Sequence, residues 1–367
     1  MKTRNILSRI LVLMAIALAA GCGGGSGTGN SAGPSLKGGA IQGKELVLTG
    51  TLTTIAGTAG LAGSSDGLGA AARFNAPWAM TTDGTNLYIL DTNSFTIRKV
   101  VIATGAVTTL AGSAGISGSA DGTGAAARFS EFYGITTDGT NLYVADSANS
   151  TIRKVVIATG AVTTLAGTAG SKGSADGVGA AARFMDPYGI TTDGINLFVA
   201  DDNDSTIRKI VIATGEVTTL AGAHGIAGST DGIGTAARLD MPLCIVTDGT
   251  NLFVTDGATI RKVVIATGAV TTVAGTAGVW GDADGIGAAA SFYEDSGITT
   301  DGINLYVTDR KKTAIVPTIR KIVIATGEVS TLSVSGSLGT LWSTGGITTD
   351  GSSLYVSQDN NIITRLR

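Results

Sequence analysis

Cysteine and histidine are almost absent from this chain, with two cysteines and one histidine among 367 residues. Two cysteines make no disulfide framework, so stability has to come from a packed core. A lone histidine, His224, cannot supply the three or so His, Asp, Glu or Cys ligands that converge in a catalytic zinc centre, and it leaves no partner for His-based acid–base chemistry. No Gly-x-Ser-x-Gly elbow is present, which removes a hydrolase triad of that type. Proline is also scarce, at five residues, and glycine does not fall at every third position, which excludes collagen. Charged residues make up 14% and apolar residues 43%, too little charge and too much apolar surface for disorder. The N-terminal apolar run, Ile10 to Ala20, has 11 residues, short of the roughly 20 that span a bilayer. Glycine is what the chain has in excess, with 55 residues spread along its length. Each costs roughly 1 kcal/mol in a helix interior, so a helical bundle is excluded and a turn-rich β protein is expected.

Lys2, Arg4 and Arg9 ahead of that apolar run form the basic and hydrophobic regions of an export signal. The following Leu18-Ala19-Ala20-Gly21-Cys22 resembles the lipobox of bacterial lipoproteins, with Ala19 where that family usually has Leu. The resemblance implies cleavage before Cys22 and lipidation of its thiol. Residues 1–21 are therefore expected to be a lipoprotein signal peptide, and residues 22–44, beginning with the lipidated Cys and GGGSGTGNSAGPS, a flexible linker. Such a linker has a root-mean-square span of roughly 25 Å. Loss of residues 1–21 leaves 22 basic against 28 acidic residues, net −6, and an acidic exported chain is a poor nucleic-acid binder.

The segment GITTDGTNLYVAD, Gly134 to Asp146, recurs along the chain. Its turn aspartates, Asp83, Asp138, Asp193, Asp248, Asp301 and Asp350, are 55, 55, 55, 53 and 49 residues apart. A period of about 50 residues with four strand-like runs per unit is the pattern of a propeller blade array. Asp-Gly joins the first two runs as a hairpin turn. The third, TIRKVVIA, meets the fourth, AVTTLAG, across a Thr-Gly turn carrying Gly105, Gly160, Gly215, Gly268 or Gly327. A fourth-type run, TLTTIAG at Thr51 to Gly57, precedes any first-type run, and the last unit stops after its third, Ile362 to Arg367. The expected fold is all-β: a six-bladed β-propeller of four-stranded antiparallel blades over residues 45–367, its last blade closed by an N-terminal outer strand.

The run YVADSANSTIRKV, Tyr143 to Val155, with the loop Asp121-Gly122-Thr123-Gly124 and Ala126-Ala127-Arg128-Phe129 before it, closely resembles NHL repeats. The resemblance covers about residues 46–367. The family's His is absent, since the motif reads Asn149-Ser150-Thr151-Ile152. The resemblance implies a six-bladed propeller; members of the family and its relatives include zinc-dependent lyases, RNA-binding domains and extracellular sensor domains, so fold does not decide function.

The loop aspartates Asp66, Asp121, Asp176, Asp231 and Asp284 are expected to bond backbone N–H groups of their own turns, with a helical turn at Ala-Ala-Arg. Phe74, Phe129, Phe184, Leu239 and Phe292 then plug between blades. The aspartates ending the second strands, Asp91, Asp146, Asp201, Asp256 and Asp309, read as turn-formers. Asp201, Asp202 and Asp204, beside Asn203, are the densest hard-oxygen cluster and the calcium candidate; no other metal or cofactor is expected. His224 reads as a solvent-facing loop residue and Cys244 as a small buried apolar one. Repeat-to-repeat variation concentrates just before the innermost strands, at Trp78, Tyr133 and Tyr188 with Glu131, Asp186 and Asp295 beside them. Equivalent positions elsewhere are Leu243, Ser296 and Gly345, so an aromatic platform would be one-sided. Aromatics with carboxylates at a channel mouth suit sugars, peptides or cationic ligands. The insertion from Arg310-Lys311-Lys312 to Pro317 falls on the same face.

These readings describe a lipid-anchored propeller of the bacterial envelope, at the outer membrane where there is one. It would act as a non-catalytic binding or scaffold module for a protein, peptide or glycan, touching the membrane through its lipid alone. The alternative is a propeller lyase or lactonase working at the central channel.

Overall fold

The computed structural model describes residues 43–293, 297–310, 317–335 and 344–367, without the side chains of Arg310 and Thr344. The expected signal peptide, Cys22, Asp295 and the inserted residues 311–316 lie outside the described residues. Six antiparallel sheets follow one another along the chain. In blade 1, strand a (Pro77–Thr82) turns into strand b (Asn86–Asp91), and strand c (Thr96–Val101) turns into strand d (Ala106–Gly112). The same order recurs through blade 5.

Local chemistry fixes the turns. The Asp83 carboxylate accepts the backbone N–H of Thr85 at 2.8 Å and of Asn86 at 2.7 Å, and the Tyr88 hydroxyl at 2.9 Å. That set locks the a–b hairpin and is repeated at Asp138, Asp301 and Asp350. The c–d turn requires a left-handed residue, and its five glycines have φ between +67° and +70°. A Cβ on Gly160 would in addition lie 2.6 Å from the Leu110 carbonyl oxygen of the preceding blade. Around the axis, strands a approach so closely that a Cβ on Gly134 would overlap the Tyr188 carbonyl.

Blades 1 to 5 have five strands rather than four. A two-residue strand cut from the Asp-Gly loop, such as Gly67–Leu68 or Gly122–Thr123, pairs with the outer edge of strand d. The helical turn that follows is a 3-10 turn over Gly69–Ala71 and its equivalents, ending before the arginine. From there the chain runs inward between blades, and Phe74, Phe129, Phe184, Leu239 and Phe292 are fully buried plugs. Phe129, for example, packs with Leu90 and Ile97 of blade 1 and with Leu142 and Val144 of blade 2.

The loop aspartates and the aspartates that end strand b do more than form turns, because one of each grips one buried arginine. Arg98, Arg153, Arg208, Arg261 and Arg320 of strand c are almost wholly buried. Arg153 Nη1 meets Asp146 at 2.7 Å and Nη2 meets Asp121 at 2.8 Å. Its guanidinium lies 5.3 Å from the centre of the Phe129 ring, and it also donates to the carbonyls of Arg128 and Ala120. Asp121 is further held by the hydroxyl of Thr164 on strand d rather than by its own turn. Charge-assisted bonds from Nη1 and Nη2 to both carboxylates and to carbonyls hold a cation that could not otherwise be buried, and Nε is left without an acceptor. In blade 6 the sequence lacks the Asp-Gly loop motif, Gln358 and Thr364 stand in the places of Asp91 and Arg98, and Gln358 Nε2 donates to Thr364 Oγ1 at 3.1 Å.

Blade 6 has four strands, a (Thr344–Thr349), b (Leu354–Gln358) and c (Ile362–Leu366), with Leu52–Gly57 as its outer strand d. The residues before Leu52 form a strap instead of lengthening that strand. Leu46 is buried among Tyr306, Ile319 and Ile347, its N–H donates to Asp301 Oδ2 at 3.0 Å, and Glu45 pairs with Lys321 at 2.5 Å. The strap thus binds blade 5 to blade 6 on the side of the a–b turns.

Candidate functional site

The starts of strands a, the b–c turns and the loops after strand d share the opposite end of the ring, and there the channel opens. Its wall is built from one position per blade: Met80, Ile135, Ile190, Ile245, Ile298 and Ile347 form a nearly closed aliphatic waist. Above the waist lies a small, open cavity of about 60 Å³. Trp78 and Tyr133 edge it on one side; small residues, among them Cys244, Gly297 and Gly346, wall the other.

The structure brings the three aromatics together. Tyr133 and Tyr188 stack with ring centres 4.8 Å apart and planes 15° apart, and Trp78 meets Tyr133 edge-on at 6.1 Å. All three remain partly exposed. Only Trp, Tyr and Tyr in three consecutive blades produce this arc; in blade 4 the position is Leu243 and in blade 6 Gly345. The Ser357 hydroxyl donates to the Trp78 carbonyl, fixing the backbone at one end of the arc.

Carboxylates surround it. Glu131 is exposed one turn ahead of Tyr133. Burial, followed by the charges of Glu131 and Asp186, raises the Tyr133 hydroxyl above its ordinary range. Burial also raises Tyr188. Asp202, in the 3-10 turn after strand b of blade 3, is pushed up to about 6 by burial and then by Asp186 and Asp240. Its Oδ1 is buried without a hydrogen-bond partner, while the Asn203 amide donates to Asp186 Oδ2 at 2.8 Å. Asp240, in the segment leading into blade 4, belongs to this group although sequence reading did not select it. It stands in the place of Met185 one blade earlier, so alignment of the repeats carries no signal for it.

The calcium candidates point apart. Asp201 is held by Arg208 and by the N–H groups of Met185 and Asp186. Asp204 Oδ1 faces His224 Nδ1 and its Oδ2 accepts the Thr206 hydroxyl at 2.9 Å. Asp202 alone of the three turns toward Asp186 and Asp240. Among the described residues no group of three or more His, Cys, Asp or Glu side chains is placed to hold a metal ion. His224 is exposed, as expected, yet its ring engages a buried partner. Cys244 is only partly buried, because it replaces a glycine in the channel wall, and its N–H donates to Thr255 Oγ1 at 3.0 Å.

No protein-family model matches the chain. Over 139 residues it is 37% identical to SUPPRESSOR OF QUENCHING 1, chloroplastic, of Arabidopsis thaliana, a match covering 35% of this chain and 13% of that protein. Over 125 residues it is 36% identical to NHL repeat-containing protein 2 of Homo sapiens, covering 31% of this chain and 17% of that protein. The chain thus spans less than a fifth of the length of the curated relatives it matches. Among solved structures, a protein of unknown function from Bacteroides thetaiotaomicron superposes with a TM-score of 0.62 at 20% identity, over 86% of this chain and 75% of that one. An auxiliary nutrient binding protein from the same organism does so with a TM-score of 0.59 at 15% identity, over 86% and 76%. At these identities the two structures are alike in fold.

Proposed function

We infer that this NHL-repeat propeller is a non-catalytic binding module of the bacterial envelope, and that it holds its ligand at the aromatic mouth of the channel. The observation that carries the reading is the partly exposed arc of Trp78, Tyr133 and Tyr188, of which Trp78 and Tyr133 line a cavity whose far wall includes Cys244 and Gly297. A fold needs no such asymmetry, since blades 4 and 6 close the same ring without an aromatic there. Planar side chains bury large area at low entropic cost, which is why they dominate binding energies. Similarity of fold to a nutrient binding protein supports the reading.

The test compares affinity with stability for Trp78→Ala and Tyr188→Ala, using the partner recovered with the mature protein from an envelope extract. Each truncation is expected to weaken binding by about 2 kcal/mol or more with little change in melting temperature. A lower melting temperature with affinity intact would retire the site and make the arc simple packing.

The anchor is part of the same proposal and rests on the small residues before Cys22. Cys22→Ser is expected to leave the precursor uncleaved by the lipoprotein peptidase and to release the protein from the membrane fraction; membrane association that survives this change would refute the anchor. Gly23 lacks the aspartate that retains lipoproteins at the inner membrane of enteric bacteria, so the outer membrane is the proposed site where there is one.

A further inference from the structure

We propose that the mouth takes a cationic organic group, an ammonium or guanidinium, seated against the Tyr133–Tyr188 stack with Asp186 and Asp202 as its counter-ions. This rests on the aromatic mouth being the binding site and specifies what binds there. Three independent features converge. The first is the aromatic arc beside an open cavity, since stacked and edge-on rings offer the negative π faces that attract cations. The second is the sign of the surrounding charge. Around the arc, in blades 2 to 4, the b–c turns and the segments joining each plug to strand a carry Glu131, Asp186, Asp202, Asp204 and Asp240 but no lysine or arginine, whereas Arg310, Lys311 and Lys312 belong to the insertion of blade 5. Elsewhere in the fold carboxylates in comparable turns are neutralised by arginine, as Asp201 is by Arg208. The third is Asp202 Oδ1, buried and without a hydrogen-bond donor. A buried carboxylate oxygen lacking a donor is destabilising in the free protein, and an incoming N–H supplies what is missing.

A neutral sugar would bring hydroxyls that stack and hydrogen-bond, but it would leave the mutual repulsion of Asp186, Asp202 and Asp240 unrelieved. A cation relieves it. The groups facing Asp202 are Asp186 and Asp240 from the segments entering blades 3 and 4, with the Tyr188 hydroxyl toward the channel. Because Asp202 gains its proton near pH 6, cation binding should weaken as the solution is acidified from about pH 7.5 to about pH 5.

The experiment is a calorimetric titration of the full chain with N-acetyl-arginine amide and with tetramethylammonium, beside N-acetyl-glutamine amide, N-acetyl-glutamate amide and maltose. Both cations are expected to bind at least tenfold more tightly than the neutral and anionic amides. That preference should shrink with added salt and at about pH 5, and should be lost in Asp186→Asn/Asp202→Asn. The double variant keeps the shape of both side chains and removes a repulsion, so its melting temperature should hold or rise. Equal binding of arginine and glutamine amides, absence of cation binding, or cation binding unchanged in the double variant would each overturn the proposal. Maltose binding that disappears in Trp78→Ala while the cations fail to bind would leave the aromatic mouth standing and discard the charge class. Loss of stability without loss of any binding in Trp78→Ala would discard the mouth itself.

Discussion

Arg153→Thr is expected to lower the unfolding free energy by about 3–5 kcal/mol, because it strands the buried Asp146 carboxylate without its cation. Asp146 accepts a bond from the Ser130 N–H and the Asn149 amide, but neither supplies charge. Burial already raises its carboxyl above the ordinary range against the pull of Arg153. Removing the arginine raises it further, so stability in the variant is lost as pH rises and recovered as Asp146 becomes protonated. The penalty should therefore be largest above neutrality and shrink toward acid pH, which denaturant titrations at several pH values would show. Blade 6 supplies the compensating change: Asp146→Gln/Arg153→Thr reproduces the Gln358–Thr364 pair and should regain at least half of the loss. A double variant as unstable as the single one would show that the clamp contributes through the arginine's packing on Phe129 and its carbonyl bonds, not through the charge pair.

Deleting residues 45–57 is expected to leave no soluble folded monomer, or one that melts far below the intact chain. The deletion removes the outer strand of blade 6 and the strap that buries Leu46 and partly buries Leu48, Leu52 and Ile55. Full burial of such side chains is worth about 1.5–3 kcal/mol each. Even discounted for partial exposure, their sum is comparable to the 5–15 kcal/mol that typically separates folded from unfolded domains. The loss would also leave the Ile362–Leu366 strand as an open edge, which invites association between chains. Size-exclusion chromatography and thermal melts distinguish the outcomes; an unchanged melting temperature would mean that the ring is held shut by its other five blades.

The parts of this fold that can be read from sequence are those whose determinants lie close together in the chain. Asp83-Gly84 and its repeats specify hairpins within a few residues, and the displaced TLTTIAG run identifies the closing strand because it matches five others. The clamp escaped notice because Asp121, Asp146 and Arg153 are spaced by 25 and 7 residues and meet only after the sheet forms. A usable signal was there: the last unit lacks the loop aspartate, the strand-b aspartate and the strand-c arginine together. The two-residue fifth strand has no alternation to betray it, being a glycine and one exposed residue such as Leu68 or Val178. At the mouth, position along the repeat was enough to select Trp78, Tyr133 and Tyr188. Their mutual stacking depends on side-chain rotamers and on the distance between blades, neither of which is written locally. Asp202 stands out in sequence through its neighbours Asp201 and Asp204, whereas the charges that add to burial in raising it, Asp186 and Asp240, come from elsewhere in the chain.

Gly43 lies against Gly302 and Ile303, in the a–b turn of blade 5, and the strap then crosses to blade 6. The described chain therefore begins at the end of the ring that carries the a–b turns, beside the inner strands, and the aromatic arc opens at the opposite end. A partner large enough to cover the arc would therefore meet no obstruction from the strap, which lies at the other end of the ring.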